Sequence, residues 1–160
     1  MVFVMLFQII AGIVYGVVFG PQWDLEIPWY LGWVVLAVGL PFFFSPLLYF
    51  QKRGKPQEGK NFMSTTVVVD SGTYGIVRHP QILGCILLMF ASILISQHWA
   101  AVIIGIPLSI WFYVELPEEE KGLAVKFGED YQSYMQRVPR INFLAGVIRW
   151  LRRGLSGVGP

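Results

Sequence analysis

Apolar residues in this chain gather in four long blocks, and the polar residues lie between and after them. The blocks run from Met1 to Phe19, from Trp29 to Phe50, from Pro80 to Ser96 and from Trp99 to Leu116. A helix needs about 20 mostly apolar residues to cross a bilayer, and each block is close to that length. The pattern therefore predicts four transmembrane helices, with a kink at Pro107. Only Gln97 and His98 separate the last two blocks, so these should form a tight hairpin with their other ends close together. After Leu116 the pattern changes. Lys121 to Arg137 reads as a further helix, with Leu123, Phe127, Tyr131 and Tyr134 on one face. Ile141 to Arg153 mixes Phe143, Leu144, Val147, Ile148, Trp150 and Leu151 with three arginines. It reads as an amphipathic helix lying on a membrane surface. Gly154 to Pro160 reads as a disordered tail. The expected architecture is all-α: a polytopic membrane protein with four transmembrane helices and a cytoplasmic C-terminal helical segment, in one domain spanning 1–153.

Composition agrees. Hydrophobic residues make up 55% of the 160 and charged residues 14%, against about 25% charged in average globular chains. Mean hydropathy is +0.58. The first block lacks the basic start and the small-residue cleavage site of a secretion signal, so it reads as a retained helix. The one cysteine, Cys85, sits inside an apolar block and reads as a small buried hydrophobe. With two histidines far apart in sequence, neither a disulfide nor a cysteine- or histidine-rich metal site is expected.

Charge placement sets the topology. All twelve Lys and Arg residues follow the second or the fourth block. The connection from Gly20 to Pro28 carries Asp24 and Glu26 and no base, and the Gln97-His98 turn has none. The positive-inside rule puts both termini and the 51–79 loop in the cytoplasm. The one-sided bases also favour an anionic leaflet, so the bilayer is an expected partner and nucleic acid is not.

That loop is long for a connection between helices, which marks it as functional or disordered. Lys52 to Lys60 is polar. Thr65 to Val69 is β-branched and extended in character, Asp70-Ser71-Gly72 reads as a turn, and the strip into Tyr74 suits the wall of a pocket. The loop ends on Arg78-His79-Pro80. Proline suits the first position of a helix, so Arg78 and His79 stand at a helix mouth. Two readings are open: a basic cap reaching for lipid headgroups, or a seat for an anionic ligand. The hairpin brings this mouth toward Glu118, Glu119 and Glu120, which on their own read as the solvated start of a helix. Acids and bases together can bind a zwitterionic or polyhydroxylated ligand. Tyr131 and Tyr134 read as packing residues and His98 as an interfacial one. Gly12, Gly16 and Gly20 suit tight packing, within one molecule or between two.

The combination Gly72-x-Tyr74-x-x-x-Arg78-His79-Pro80-x-x-x-Gly84, a hairpin, then Glu119-Glu120-x-x-Leu123-x-x-x-Phe127-Gly128-x-x-Tyr131-x-x-Tyr134 resembles the isoprenylcysteine carboxyl methyltransferase family. It is also similar to the related phospholipid methyltransferases. The resemblance covers residues 60–140. It implies a membrane-embedded methyltransferase that uses S-adenosylmethionine, held at the cytoplasmic ends of the helices. By position, the implied cofactor contacts are Thr66, Val68, Val69, Tyr74, His79, Pro80, Gln81, Ile82 and Glu119. Arg78 and Glu120 are implied supports at the reacting site. Two positions depart from the isoprenylcysteine enzymes: Ile82 replaces an aromatic residue, and Glu115 replaces an arginine that binds a substrate carboxylate. Glu115 would repel such a substrate, so an amine, thiol or neutral lipid acceptor is expected, with Glu115 beside it. The acceptor should be lipophilic and enter from the bilayer. Two rivals use the same features: an NADPH-dependent membrane reductase of the sterol reductase type, and a non-catalytic lipid-binding scaffold.

Overall fold

The computed structural model describes residues 2–54 and 65–155. Most of the polar Lys52–Lys60 stretch, with Lys55 and Lys60, lies outside the described residues, as do 156–160 of the expected tail. All regular structure among the described residues is helical: α1 (Val2–Val18), α2 (Glu26–Phe43), α3 (Ser45–Arg53), a 3-10 turn (Gly72–Gly75), α4 (Pro80–Ser96), α5 (Trp99–Phe127), α6 (Glu129–Arg137) and α7 (Phe143–Leu155).

The first and third apolar blocks become α1 and α4 nearly to the residue, and Pro80 opens α4 as its fixed φ favours. The second block is interrupted. α2 tolerates Pro41, but Pro46 has no N–H to continue the ladder, and the chain starts again as α3 at Ser45. The fourth block does the opposite. α5 runs unbroken for 29 residues through Pro107 and past Pro117. Glu118, Glu119 and Glu120 are thus interior to a helix and not at its start, so a helix dipole does not account for them. α5 ends where Gly128 adopts φ +59, a conformation that costs glycine little. The helix expected over Lys121–Arg137 is therefore two pieces. The Thr65–Val69 strip is irregular and forms no strand, while Gly72, at φ +63, makes the expected turn. α7 reaches Leu155, so Gly154 and Leu155 are helical rather than part of a disordered tail.

The chain divides into two compact units. The first comprises Met1–Phe43 and Ile82–Glu115. Met5, Ile9, Cys85, Leu88, Met89 and Leu108 form its core. Its helices meet through glycines: a Cβ on Gly16 would lie 2.5 Å from the Ile95 carbonyl oxygen, and one on Gly84 would strike the backbone of Phe43. Gly12 faces Ser92 at 3.1 Å, so the Gly12 and Gly16 contacts are internal to the molecule. Gly20 lies beyond α1 in open space. Gln97 fixes the loop opposite it. Its Oε1 accepts from Leu25 N at 3.0 Å and its Nε2 donates to Leu25 O at 2.6 Å. The outer face is apolar and bare, with Phe3, Phe7, Phe19 and Ile27 more than two-thirds exposed. A surface of this kind needs hydrocarbon around it. The second unit comprises Phe44–Gln81 and Leu116–Pro160. Tyr131, Tyr134 and Val138 are its buried centre, packed by Val68, Leu123, Ala124, Phe127 and Met135.

Two of the described helices are long and apolar enough to cross a membrane, Glu26–Leu47 and Trp99–Phe127. Phe3–Val18 and Pro80–Ser96 are shorter apolar helices. At 1.5 Å per residue, α4 is about 26 Å long, close to the roughly 30 Å of a hydrocarbon core.

Candidate functional site

Glu120 is the centre of the second unit's chemistry. Its carboxylate is nearly buried and is held by three basic side chains. Arg78 Nη2 lies 3.0 Å from Oε1. Arg140 donates through Nη2 and Nε to Oε2, at 2.6 and 3.1 Å. His79 Nε2 lies 3.3 Å from Oε1. The backbone reinforces the arrangement. Arg78 N–H donates to the carbonyls of Pro139 and Arg140 at 2.9 and 3.1 Å, and His79 N–H donates to Arg140 O at 3.2 Å. The segment after α6 is thus strapped along the mouth of α4, where Pro80 offers no N–H of its own.

On the other side of the ring, His79 Nδ1 lies 3.6 Å from Glu119 Oε2. The two ends differ in wetness: the His79 side chain is 4% exposed and that of Glu119 is 54%. Burial holds the His79 pKa below its ordinary value, against the pull of Glu119 and Glu120. The ring is therefore neutral at pH 7, with one N–H and one acceptor. Burial alone would raise Glu120, but Arg140, Arg78 and His79 together hold its carboxyl below the usual range.

Three polar side-chain atoms of this unit are buried without a hydrogen-bond partner among the described residues: Arg78 Nε, Tyr131 Oη and Thr73 Oγ1. Burial, with Glu120 nearby, pushes the Tyr131 phenol up to about 12. Tyr134 is satisfied, since its hydroxyl donates to Tyr74 O at 2.6 Å. The Tyr74 ring packs on Phe50 at 5.1 Å. Burial raises both of these phenols too, so all three tyrosines are neutral.

The structure thus brings Arg78, His79, Glu119 and Glu120 together. Val68 packs on the tyrosine cluster. Val69 and Tyr74 are buried beside it in sequence. Pro80 is fully buried and Gln81 half-buried. Thr66 is exposed, and its N–H donates to Gly54 O at 2.9 Å. Ile82 and Glu115 belong to the first unit. Glu115 is exposed and is not a member of the ion cluster. Arg140 was not foreseen. Twenty residues separate it from Glu120, and the only sequence signal is Pro139, which stops α6 and turns the chain back.

Helical throughout its described regular structure, with bare apolar helices and a buried ion cluster at a helix mouth, the chain has the character of a membrane protein. The chain belongs to the phospholipid methyltransferase family, which it matches over residues 28–130. It is also similar to methanethiol S-methyltransferase 2 of Bradyrhizobium diazoefficiens. The two are 30% identical over 89 residues, 56% of this chain and 31% of that relative. The chain therefore spans about a third of the length of the curated relative it matches. No solved structure matches it. The family match includes Arg78, His79, Glu119 and Glu120 and stops before Tyr131, Tyr134 and Arg140.

Proposed function

We propose that this protein is a multi-pass membrane methyltransferase that uses S-adenosylmethionine to methylate a small lipophilic acceptor. α1, α2, α4 and the first part of α5 cross the bilayer, and both termini and the ion cluster are cytoplasmic. The observation that carries this reading is the His79 ring held between buried Glu120 and exposed Glu119.

The residues fit such a cofactor. A neutral His79 that donates Nε2–H to Glu120 leaves Nδ1 as an acceptor beside the Glu119 carboxylate. Two acceptors 3.6 Å apart seat an ammonium or a pair of hydroxyls. The unpartnered Arg78 Nε supplies a donor for a carboxylate. Those are the groups of an amino-acid moiety and a ribose. Val69, Tyr74 and Pro80 supply an apolar wall, and Thr66, Val68, Gln81 and Ile82 are carried as further contacts from the family's pattern. When bound, S-adenosylmethionine supplies an electrophilic methyl on a cationic sulfur. Glu120 touches no ligand in this scheme; it fixes Arg78 and His79 in place. The site holds no strong base aimed outward, so the acceptor must bring its own nucleophile. The relative's name makes a small thiol the first acceptor to try, and Glu115, at a position where the isoprenylcysteine enzymes carry an arginine, speaks against a carboxylate acceptor.

Calorimetry with S-adenosylhomocysteine tests the reading. Saturable binding to the detergent-purified protein, lost in His79→Ala and Glu119→Ala, is the expected result. Binding of NADPH in its place would transfer the site to reductase chemistry, and binding of neither would leave a scaffold.

A further inference from the structure

α7 presents unlike sides, and methyl transfer uses none of them. One side is pressed on the wall of the site. Gly146 is buried, and a Cβ there would strike the Ile76 carbonyl, so α7 passes the backbone just after the 3-10 turn at a distance only glycine allows. Trp150, one helical turn on, lies against the same strip: a Cβ on Gly75 would be 3.7 Å from Trp150 Cδ1. The helix is also tied at its start. Asn142 caps it, its Oδ1 accepting from Ala145 N–H at 3.0 Å. Two residues earlier, the Arg140 carbonyl accepts from His79 N–H. A shift of α7 is therefore passed to the backbone that carries Tyr74 and His79.

The side turned away is half apolar and half basic. Leu144, Ile148 and Leu151 recur at helical spacing and are half or more exposed. Arg152 stands one turn after Ile148, and Arg149 one turn before Arg152; both are exposed. Phe143–Leu155 holds three arginines and no acid. Water alone would leave the apolar stripe bare, and hydrocarbon alone would strip the arginines of partners. A headgroup layer satisfies both, since the stripe sinks below the phosphates and the guanidinium groups reach back to them. The long apolar helices of the same chain keep such a layer within reach.

We infer that α7 docks on the headgroups of an anionic leaflet and, through Gly146 and Trp150, holds the Tyr74–His79 wall of the site in place. Anionic lipid thereby favours cofactor binding, an effect that rests on the methyltransferase reading. A neutral leaflet receives the stripe but offers no net counter-charge, and each arginine near an anionic surface contributes about fivefold.

The test uses the full chain in nanodiscs of phosphatidylcholine, with and without phosphatidylglycerol, and amide hydrogen exchange read by mass spectrometry. Phosphatidylglycerol should slow exchange over both 143–155 and 72–79, at least about threefold. Arg149→Gln/Arg152→Gln should remove the effect on both segments and leave α4 exchange unchanged, which separates lost docking from a lost fold. Leu144→Ser/Ile148→Ser should weaken protection of 143–155 in either lipid. Equal protection in the two lipids, or a lipid effect that survives the arginine variant, overturns docking on an anionic surface. An effect confined to 143–155 overturns the hold on the site. S-adenosylhomocysteine, titrated by calorimetry into the same discs, should bind at least about threefold tighter with phosphatidylglycerol. Equal affinity would overturn the regulation. No binding in either lipid would count against the methyltransferase reading, while exchange still decides the docking and the hold on the site.

Discussion

The two units solve opposite problems with different residues. The first contains no Lys or Arg at all; the ten of the twelve among the described residues all lie in the second. Helices in the first unit associate by close backbone approach at Gly16 and Gly84, and by hydroxyl and amide bonds such as Gln8–Ser92. In a hydrocarbon setting apolar burial gives helices little reason to associate, so fit and short-range polar bonds must serve. The second unit is organised around one carboxylate and its three basic partners. Ion pairs belong where water can hydrate the rim, and Glu119 and Arg140 supply that wet rim here. Packing errors should therefore damage the first unit, and charge errors the second.

The sharpest break of that contrast is Glu120→Ala. It leaves the Arg78 and Arg140 guanidinium groups beside a buried site with no anion, a loss of about 3–5 kcal/mol for a buried pair. It should show in thermal or denaturant unfolding of the detergent-purified protein. The same cluster sets the pH response. Glu120 has a lowered folded pKa, so its stabilisation is present above about 4.5 and is lost as pH falls through the folded value. His79 is also lowered, so the unfolded chain takes up its proton first, and stability declines once pH drops below about 6.5. Both act in the same direction: acid weakens the protein, in two stages, and His79→Gln should remove the earlier one. A melting temperature flat from pH 7 to pH 5 would contradict this. Next in size is Gly84→Leu in the first unit. Its added carbons meet Phe43 backbone, which cannot swing aside, and the cost is about 1–3 kcal/mol; ion-cluster mutants should leave this figure unchanged. Tyr134→Phe removes the bond to Tyr74 O and should cost about 1–1.5 kcal/mol by the same unfolding measurement. Lys121→Ala breaks only an exposed pair with Glu118 and should change stability by at most about 0.5 kcal/mol. A large loss there would blur the distinction between buried and surface charge.

Local features of the sequence announced those parts that depend on local physics. Pro80 after two polar residues marked the start of α4, and Gly72 marked its turn. Arg78-His79 and Glu119-Glu120 were recognisable as one site because a two-residue hairpin returns the chain. Proline in the helices was less legible. Pro46 restarts a helix and Pro117 does not end one, because tertiary contacts decide whether a missing N–H is tolerated. Arg140 was invisible for a different reason: its partner is fixed by a turn after Pro139, and no spacing rule spans such a turn. Gln8 was hidden in an apolar run, where a lone amide carries no pattern.

The way the two units share the chain has a consequence for synthesis. Each takes one piece from either side of the other, so neither can close until the piece beginning at Ile82 or Leu116 has been made. The last basic partner of Glu120 is Arg140. Glu120 therefore emerges from the ribosome twenty residues ahead of the guanidinium that completes its shell, an interval of about 1–4 s at ordinary elongation rates. During that wait only Arg78 and His79 are available to the nascent carboxylate. A truncation ending before Pro139 would freeze this half-neutralised intermediate and make it available for study.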